Sequence, residues 1–411
     1  MLHLSDSLRL PLLVALLIGL APTKDDDLPP NAPELNPYLG TDLSLMDEAG
    51  FVSLGGFEFG TTDTGAVDKL LPSADIRWIE TEHFELGFGL PRYKASAKER
   101  KRIEAELAVL RETLPDLPRK GSKLDPWVRA ILFADRIEKV HARVLELLQV
   151  TDEDFPSGEA NWTSPEDYFG WGPHLGQRGK YELLILPGEN KSRDYLRETF
   201  GVIVFATQRW NVLDRDSLII VFNDASDGLN RDPNMHAHVA YNLAINLLDG
   251  YRHYSYDIPV WLSVGFGHLI EREINPYYNT FDQSEGGETI DARESDWHKQ
   301  ALKLAAAEEV PSIAKLMRID DYGDLTFDMH VISWSYIQYL SQVHPEEFAK
   351  IFARIKSLLN EENIPDGSGL PDHLREAFSE ELGMSYGKFQ AAWQEWLQSE
   401  PAGLLNELPR R

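Results

Sequence analysis

The chain has 411 residues, 43% hydrophobic and 10% aromatic, enough to bury a large core in two or three structural units. Its 67 Asp and Glu outnumber 40 Lys and Arg, and a formal net charge of -27 repels a phosphate backbone or an anionic lipid surface, so no nucleic-acid partner is expected. It has no cysteine, which excludes disulfides, thiol catalysis, Cys-ligated zinc and an anchor at a lipidated cysteine.

Residues 1–21 read as a signal peptide: Arg9 precedes the apolar run LPLLVALLIGLA, which is short for a membrane span. The chain is therefore expected to be exported, periplasmic or extracellular. Pro22 makes a poor cleavage site, and an uncleaved segment would leave an N-terminal membrane anchor, the only membrane contact expected. Residues 22–49, rich in Pro and Asp, read as a tether without fixed structure, and the folded body is expected from Gly50.

Residues 50–175 form the first folded region. AGFVSLGGFEFGTTDTG predicts a short hairpin, and IRWIETEHFELGFGL a strand of about ten residues. Ile103, Leu107, Leu110 and Leu114 define one face of a helix over 96–117, and a second helix is predicted over 126–150. Residues 176–411 form the second region. KYELLILPG and DSLIIVFND predict neighbouring strands of a small mixed sheet, separated by a helix around 194–200. Asp232 and Pro233 start a helix that runs to Gly250, and Pro259 opens another that Asn275 and Pro276 close. Helices are predicted over 292–308, 328–343, 345–360 and 386–399. The fold class is α+β.

The chemistry centres on HVAYN, residues 238–242, and WLSVG, residues 261–265. A zinc peptidase of the H-E-x-x-H type needs two histidines one helical turn apart, a glutamate to take a proton from zinc-bound water and, in one large group, a third ligand Glu on a second helix. The arrangement resembles the gluzincin, or peptidase MA-like, superfamily, whose second helix reads P-x-W-L-x-E-G-x-A; PVWLSVGFG matches it at Pro, Trp, Leu and Gly. The resemblance extends more weakly from about Trp78 to the C-terminus, through TEHFEL, the two predicted strands and HVISWSYIQYL. It includes uncharacterised exported bacterial families of that superfamily.

On that alignment the departures fall on the chemistry. His238 stands at the first zinc ligand, Val239 at the catalytic Glu, Asn242 at the second His and Val264 at the third ligand. Valine offers neither a lone pair nor an exchangeable proton, and an amide oxygen is a weak substitute for imidazole. Starting instead at His236 gives HAHVA, with alanines at both needed positions. No catalytic residue is therefore assigned; His238, Val239, Asn242 and Val264 are relict positions, and no cofactor is expected.

His236, Tyr254, Trp261 and His268 are candidates to line a cleft, with Tyr251, His253, Tyr256, Tyr277 and Tyr278 as further aromatic groups for a sugar or peptide. The leading reading is an exported, catalytically inactive zinc-peptidase-like protein with a binding or scaffolding role at the cell envelope, its ligand an unknown protein, peptide or glycan. In that reading His238 is a buried, hydrogen-bonded histidine and His268 is partly exposed. A rival is a metallohydrolase with a rebuilt centre that binds zinc through His238, His268 and a carboxylate; His236 and Glu271 are also within its scope. A third reading is a purely structural envelope protein, with neither metal nor ligand-sized cleft. Neither a G-x-S-x-G elbow nor a P-loop occurs, and Asn161 begins a formal glycosylation sequon.

Overall fold

A computed structural model describes residues 36–39 and 43–399, apart from 159–161, 163, 165–166, 256–257, 282–295 and 363. The expected signal peptide, most of the tether, Asn161 and Tyr256 lie outside the described residues. The fold is α+β, about 51% helical and 13% strand.

The end of the expected tether folds. Helix α1 (Leu43–Glu48) buries Met46, Leu39 is buried just before it, and Tyr38 donates its hydroxyl to the Asp125 carboxylate at 2.5 Å. Strand β1 (Phe51–Ser53) is followed by the small hairpin of β2 (Glu58–Phe59) and β3 (Thr62–Asp63) and by α2 (Thr64–Leu70). The segment expected as one long strand is two: β4 (Arg77–Thr81) turns back at Glu82 and His83 into antiparallel β5 (Phe84–Phe88). Phe84 N–H donates to Thr81 Oγ1 at 3.2 Å across the turn, and folding back buries all of β5.

Helix α3 (Ala97–Leu110) stops earlier than its apolar spacing suggested; the chain then turns, yet Leu114 and Leu117 still reach the core. Pro115 and Pro118 forbid a regular continuation through this stretch. Helix α4 (Pro126–Leu148) starts where the Asp125 carboxylate accepts the N–H groups of Trp127 and Val128, and ends at Gln149 in a left-handed conformation. Beyond it come β6 (Tyr181–Leu186), α5 (Glu189–Phe200), β7 (Gln208–Val212) and β8 (Ser217–Asn223).

The main sheet runs in the order β1-β4-β5-β6-β8-β7, with β5-β6 and β6-β8 parallel and the other pairs antiparallel. It takes three strands from residues before 175 and three from after, so one core spans both regions. Strand β7 was not foreseen, because QRWNV has too few apolar residues to look like a strand; it lies half-buried at the sheet edge.

Two long helices, α6 (Asp232–Gly250) and α7 (Val260–Ile274), pack against each other, α6 also against α4 and α7 also against α10 (Phe327–Val343). Helices α8 (Trp297–Ala306), α9 (Ile313–Leu316), α11 (Pro345–Ile355), α12 (Leu370–Glu380) and α13 (Tyr386–Ser399) complete the helical part. The glycines of the WLSVGFG string permit these contacts. A Cβ on Gly265 would lie 2.6 Å from the Ser333 carbonyl oxygen of α10, and one on Gly267 would lie 2.9 Å from the Tyr241 ring of α6. At its N-terminus α6 is fixed by Asp232, which accepts from the Arg129 guanidinium of α4 at 2.6 Å with both side chains buried. Among the described residues no helix is long and apolar enough to cross a membrane.

Candidate functional site

A cleft of about 330 Å³ opens between edge strand β7, the residues leading into it, helix α6 and the start of α7. Helix α6 turns His238, Asn242 and Asn246 toward it at successive i, i+4 steps, with Tyr241 and Asp249 beside them. From the sheet side come Thr207, Gln208, Arg209 and Trp210, and from loops Tyr254, Thr280 and Tyr322.

His238 is fastened at both ring nitrogens. Thr207 Oγ1 lies 2.8 Å from Nε2, and Thr280 Oγ1 lies 3.2 Å from Nδ1. Thr280 gives its own hydroxyl proton to Glu271 Oε1 at 2.5 Å, so it accepts from His238, and the imidazole is the Nδ1–H tautomer with Thr207 donating to Nε2. Burial, reinforced by the Arg209 guanidinium, depresses the His238 pKa to about 3, so the ring is neutral. Asn242 donates from Nδ2 to the His238 carbonyl oxygen at 2.9 Å and also approaches the His238 ring Nε2 at 3.3 Å.

Val239 and Val264 both belong to the main hydrophobic core, 1% and 0% exposed, and neither lines the cleft. Thus His238 and Asn242 share the cleft, while Val239 and Val264 lie in the packed core.

The remaining candidates separate. Tyr254 lines the cleft, whereas Trp261 is wholly buried and donates Nε1–H to the Met317 sulfur at 3.2 Å. His236 is two residues from His238 and therefore leaves α6 on another face, where its Nδ1 meets Arg102 Nη2 at 3.2 Å in a separate pocket. His268, expected partly exposed, has no exposure at all, because Trp297, Tyr241 and His330 enclose it. Its Nδ1 is 2.7 Å from Glu271 Oε2 and its Nε2 is 3.0 Å from His330 Nδ1. Burial holds the His268 pKa well below its ordinary value.

His238 and His268 are linked through Thr280 and Glu271 and do not face each other across the cleft. Among the described residues no trio of His, Asp and Glu donors converges in this cleft.

Sequence reasoning missed the β7 contribution. Arg209 sits 5.4 Å over the Tyr322 ring, and its Nη1 is buried without a hydrogen-bond partner. Asp249 is pushed up to about 6 by burial, against the opposing pull of Arg209 and Lys356. Asn246, whose Nδ2 is also buried and unpartnered, was accessible from sequence as the third member of a polar stripe at i, i+4 and i+8 along the helix, after His238 and Asn242. The cleft accordingly offers hydrogen-bond donors, the Arg209 cation and the carboxyl groups of Asp227, Asp249 and Asp320 among aromatic walls, with its histidine neutral and already partnered. No protein-family model, curated protein or solved structure matches this chain.

Proposed function

We propose that the chain is an exported, catalytically inactive protein of the zinc-peptidase-like type, whose cleft binds an extended segment of polypeptide. The observation that carries this reading is the engagement of both His238 ring nitrogens by hydroxyls, beside a core that has absorbed Val239 and Val264. Such a histidine has no free lone pair for a metal, and Val239, at the position where the zinc-peptidase pattern has its general base, is buried in the core.

The peptide assignment rests on β7. It ends the sheet, so its outer backbone edge can pair with an added strand, and Thr207 to Trp210 line the cleft. Phe205, just before the strand, lines the cleft and is 42% exposed, giving the rim an apolar residue. A side chain of the guest would reach the unpartnered donors of Arg209 and Asn246. The presence of a ligand-sized cleft argues against the purely structural alternative.

The test is hydrogen exchange of the full chain with a pool of random heptapeptides, with peptide cleavage followed in parallel with and without zinc. Slowed exchange over residues 207–212 and intact peptides are expected. Zinc-dependent cleavage abolished by His238→Ala would refute the inactive reading, and unchanged exchange would refute the peptide ligand.

A further inference from the structure

We infer that His83, His141 and Asp152 form a binding site for one divalent transition-metal ion of the zinc type, with Glu138 as the carboxylate that orients His83. The group is independent of the proposed peptide cleft, since none of its members lines that cleft.

Three rigid pieces of the fold deliver it. His83 sits in the tight turn between β4 and β5, whose creation from the expected single strand places it there. Glu138 and His141 leave α4 three residues apart, on one helical face. Asp152 opens a 3-10 turn over Asp152–Asp154, which the Thr151 N–H to Asp154 Oδ2 bond of 2.7 Å holds in place. Ligand atoms of His83, Glu138 and His141 lie within 4.8 Å of one another.

The distances suit an ion. The His83 and His141 rings stack with centroids 3.9 Å apart, and each presents Nε2 to Asp152: His83 Nε2 to Oδ2 at 3.4 Å and His141 Nε2 to Oδ1 at 3.8 Å. Bonds of 2.0 to 2.1 Å around a tetrahedral zinc place its ligands about 3.3 Å from one another, close to these nitrogen-to-oxygen separations, and binding requires the stacked rings to turn apart so that the ion lies in both ring planes.

The polar inventory points the same way. His83 Nε2, His141 Nε2 and Asp152 Oδ1 are all buried with no hydrogen-bond partner, and His141 is 2% exposed. Three such groups facing one another are costly unless something satisfies them together. Glu138 Oε2, meanwhile, lies 2.7 Å from His83 Nδ1. When that nitrogen donates its hydrogen, the lone pair of a neutral His83 is on Nε2, toward Asp152; this is the outer-carboxylate arrangement that fixes metal-binding histidines. Two imidazoles and a carboxylate match zinc or a similar borderline ion better than calcium or magnesium, which prefer all-oxygen shells. The Asp152 side chain is 41% exposed and gives the ion a way in.

The experiment is titration of the full chain, stripped with chelator, with Co²⁺ followed by visible absorption and with Zn²⁺ followed by calorimetry. One ion per chain is expected, with affinity lost in Asp152→Asn and His141→Gln, reduced about 10- to 100-fold in Glu138→Gln, and unchanged in His238→Ala. Asp152 is partly exposed, so its variant reports on binding even where His141→Gln fails to fold. A folded protein that takes up no ion, or one whose uptake survives Asp152→Asn, overturns the proposal and leaves the inactive cleft untouched. Uptake lost only in His238→Ala overturns both readings.

Discussion

Val264→Glu places on α7 the carboxylate that the zinc-peptidase pattern has at this position, and its cost follows from the site. Val264 is 0% exposed within the main core, so the new group gains neither water nor a designed cation. A carboxyl buried in this way has its pKa raised by about 3 units or more, and each unit corresponds to about 1.4 kcal/mol. The raised folded pKa makes the penalty greatest above that value and removes the ionisation part as pH falls toward the unfolded value near 4.3. The expected destabilisation is about 5–6 kcal/mol at pH 8, falling to about 2–3 kcal/mol at pH 5, where about 1 kcal/mol of the ionisation cost remains beside the cost of burying a neutral polar group. Urea unfolding followed by tryptophan fluorescence at both pH values, with Val264→Gln as the neutral control, separates charge from packing. A Val264→Glu protein as stable as wild type, or one whose deficit does not change with pH, would sink the claim that this position is packed rather than poised over the cleft.

Other perturbations test the frame. Gly265→Ala forces a methyl group to within 2.6 Å of the Ser333 carbonyl oxygen and is expected to lower stability by about 1–3 kcal/mol, read from the same unfolding curves. Arg129→Met strands Asp232 in the core and is expected to cost about 3–5 kcal/mol, most of it recovered in the double variant with Asp232→Asn. Glu182 is pushed up to about 7 by burial despite the Arg215 guanidinium at 2.7 Å. A raised folded pKa means wild-type stability is lost as pH climbs from about 4.5 to 7, so Glu182→Gln should gain on wild type over that window by up to about 3 kcal/mol in pH-resolved unfolding. NMR of the His238 ring should show no titration between pH 8 and 5, and a midpoint inside that range would contradict its enclosure.

Helices α6, α7, α10 and α13 were legible because long apolar periodicity between Pro, Gly and Asn signals survives any environment. Short elements were not. Nothing local in TEHFEL distinguishes a continuous strand from a two-residue turn; the difference comes from which edges β4 and β5 pair with, a non-local matter. The same holds for β7, whose polar residues are tolerated because it is an edge. In the site, the removal of the valines from the cleft and the separation of His236 from His238 follow from helical spacing and side-chain chemistry. The Thr207 and Thr280 hydroxyls come from loops whose placement depends on the whole fold, and so did the grouping of His83 with His141 and Asp152.

The pairing of β5 with β6 also bears on how the chain reaches its fold. β5 obtains one neighbour from the adjacent β4, but its other edge must wait for Tyr181 and the residues after it. Until then five residues that end up wholly buried present open hydrogen-bonding groups. A fragment ending before residue 181 should therefore self-associate, and the earlier half of the chain is kinetically dependent on the later half. Delay in synthesis at residues 150–180 would prolong the interval in which the free edge of β5 is open to other chains.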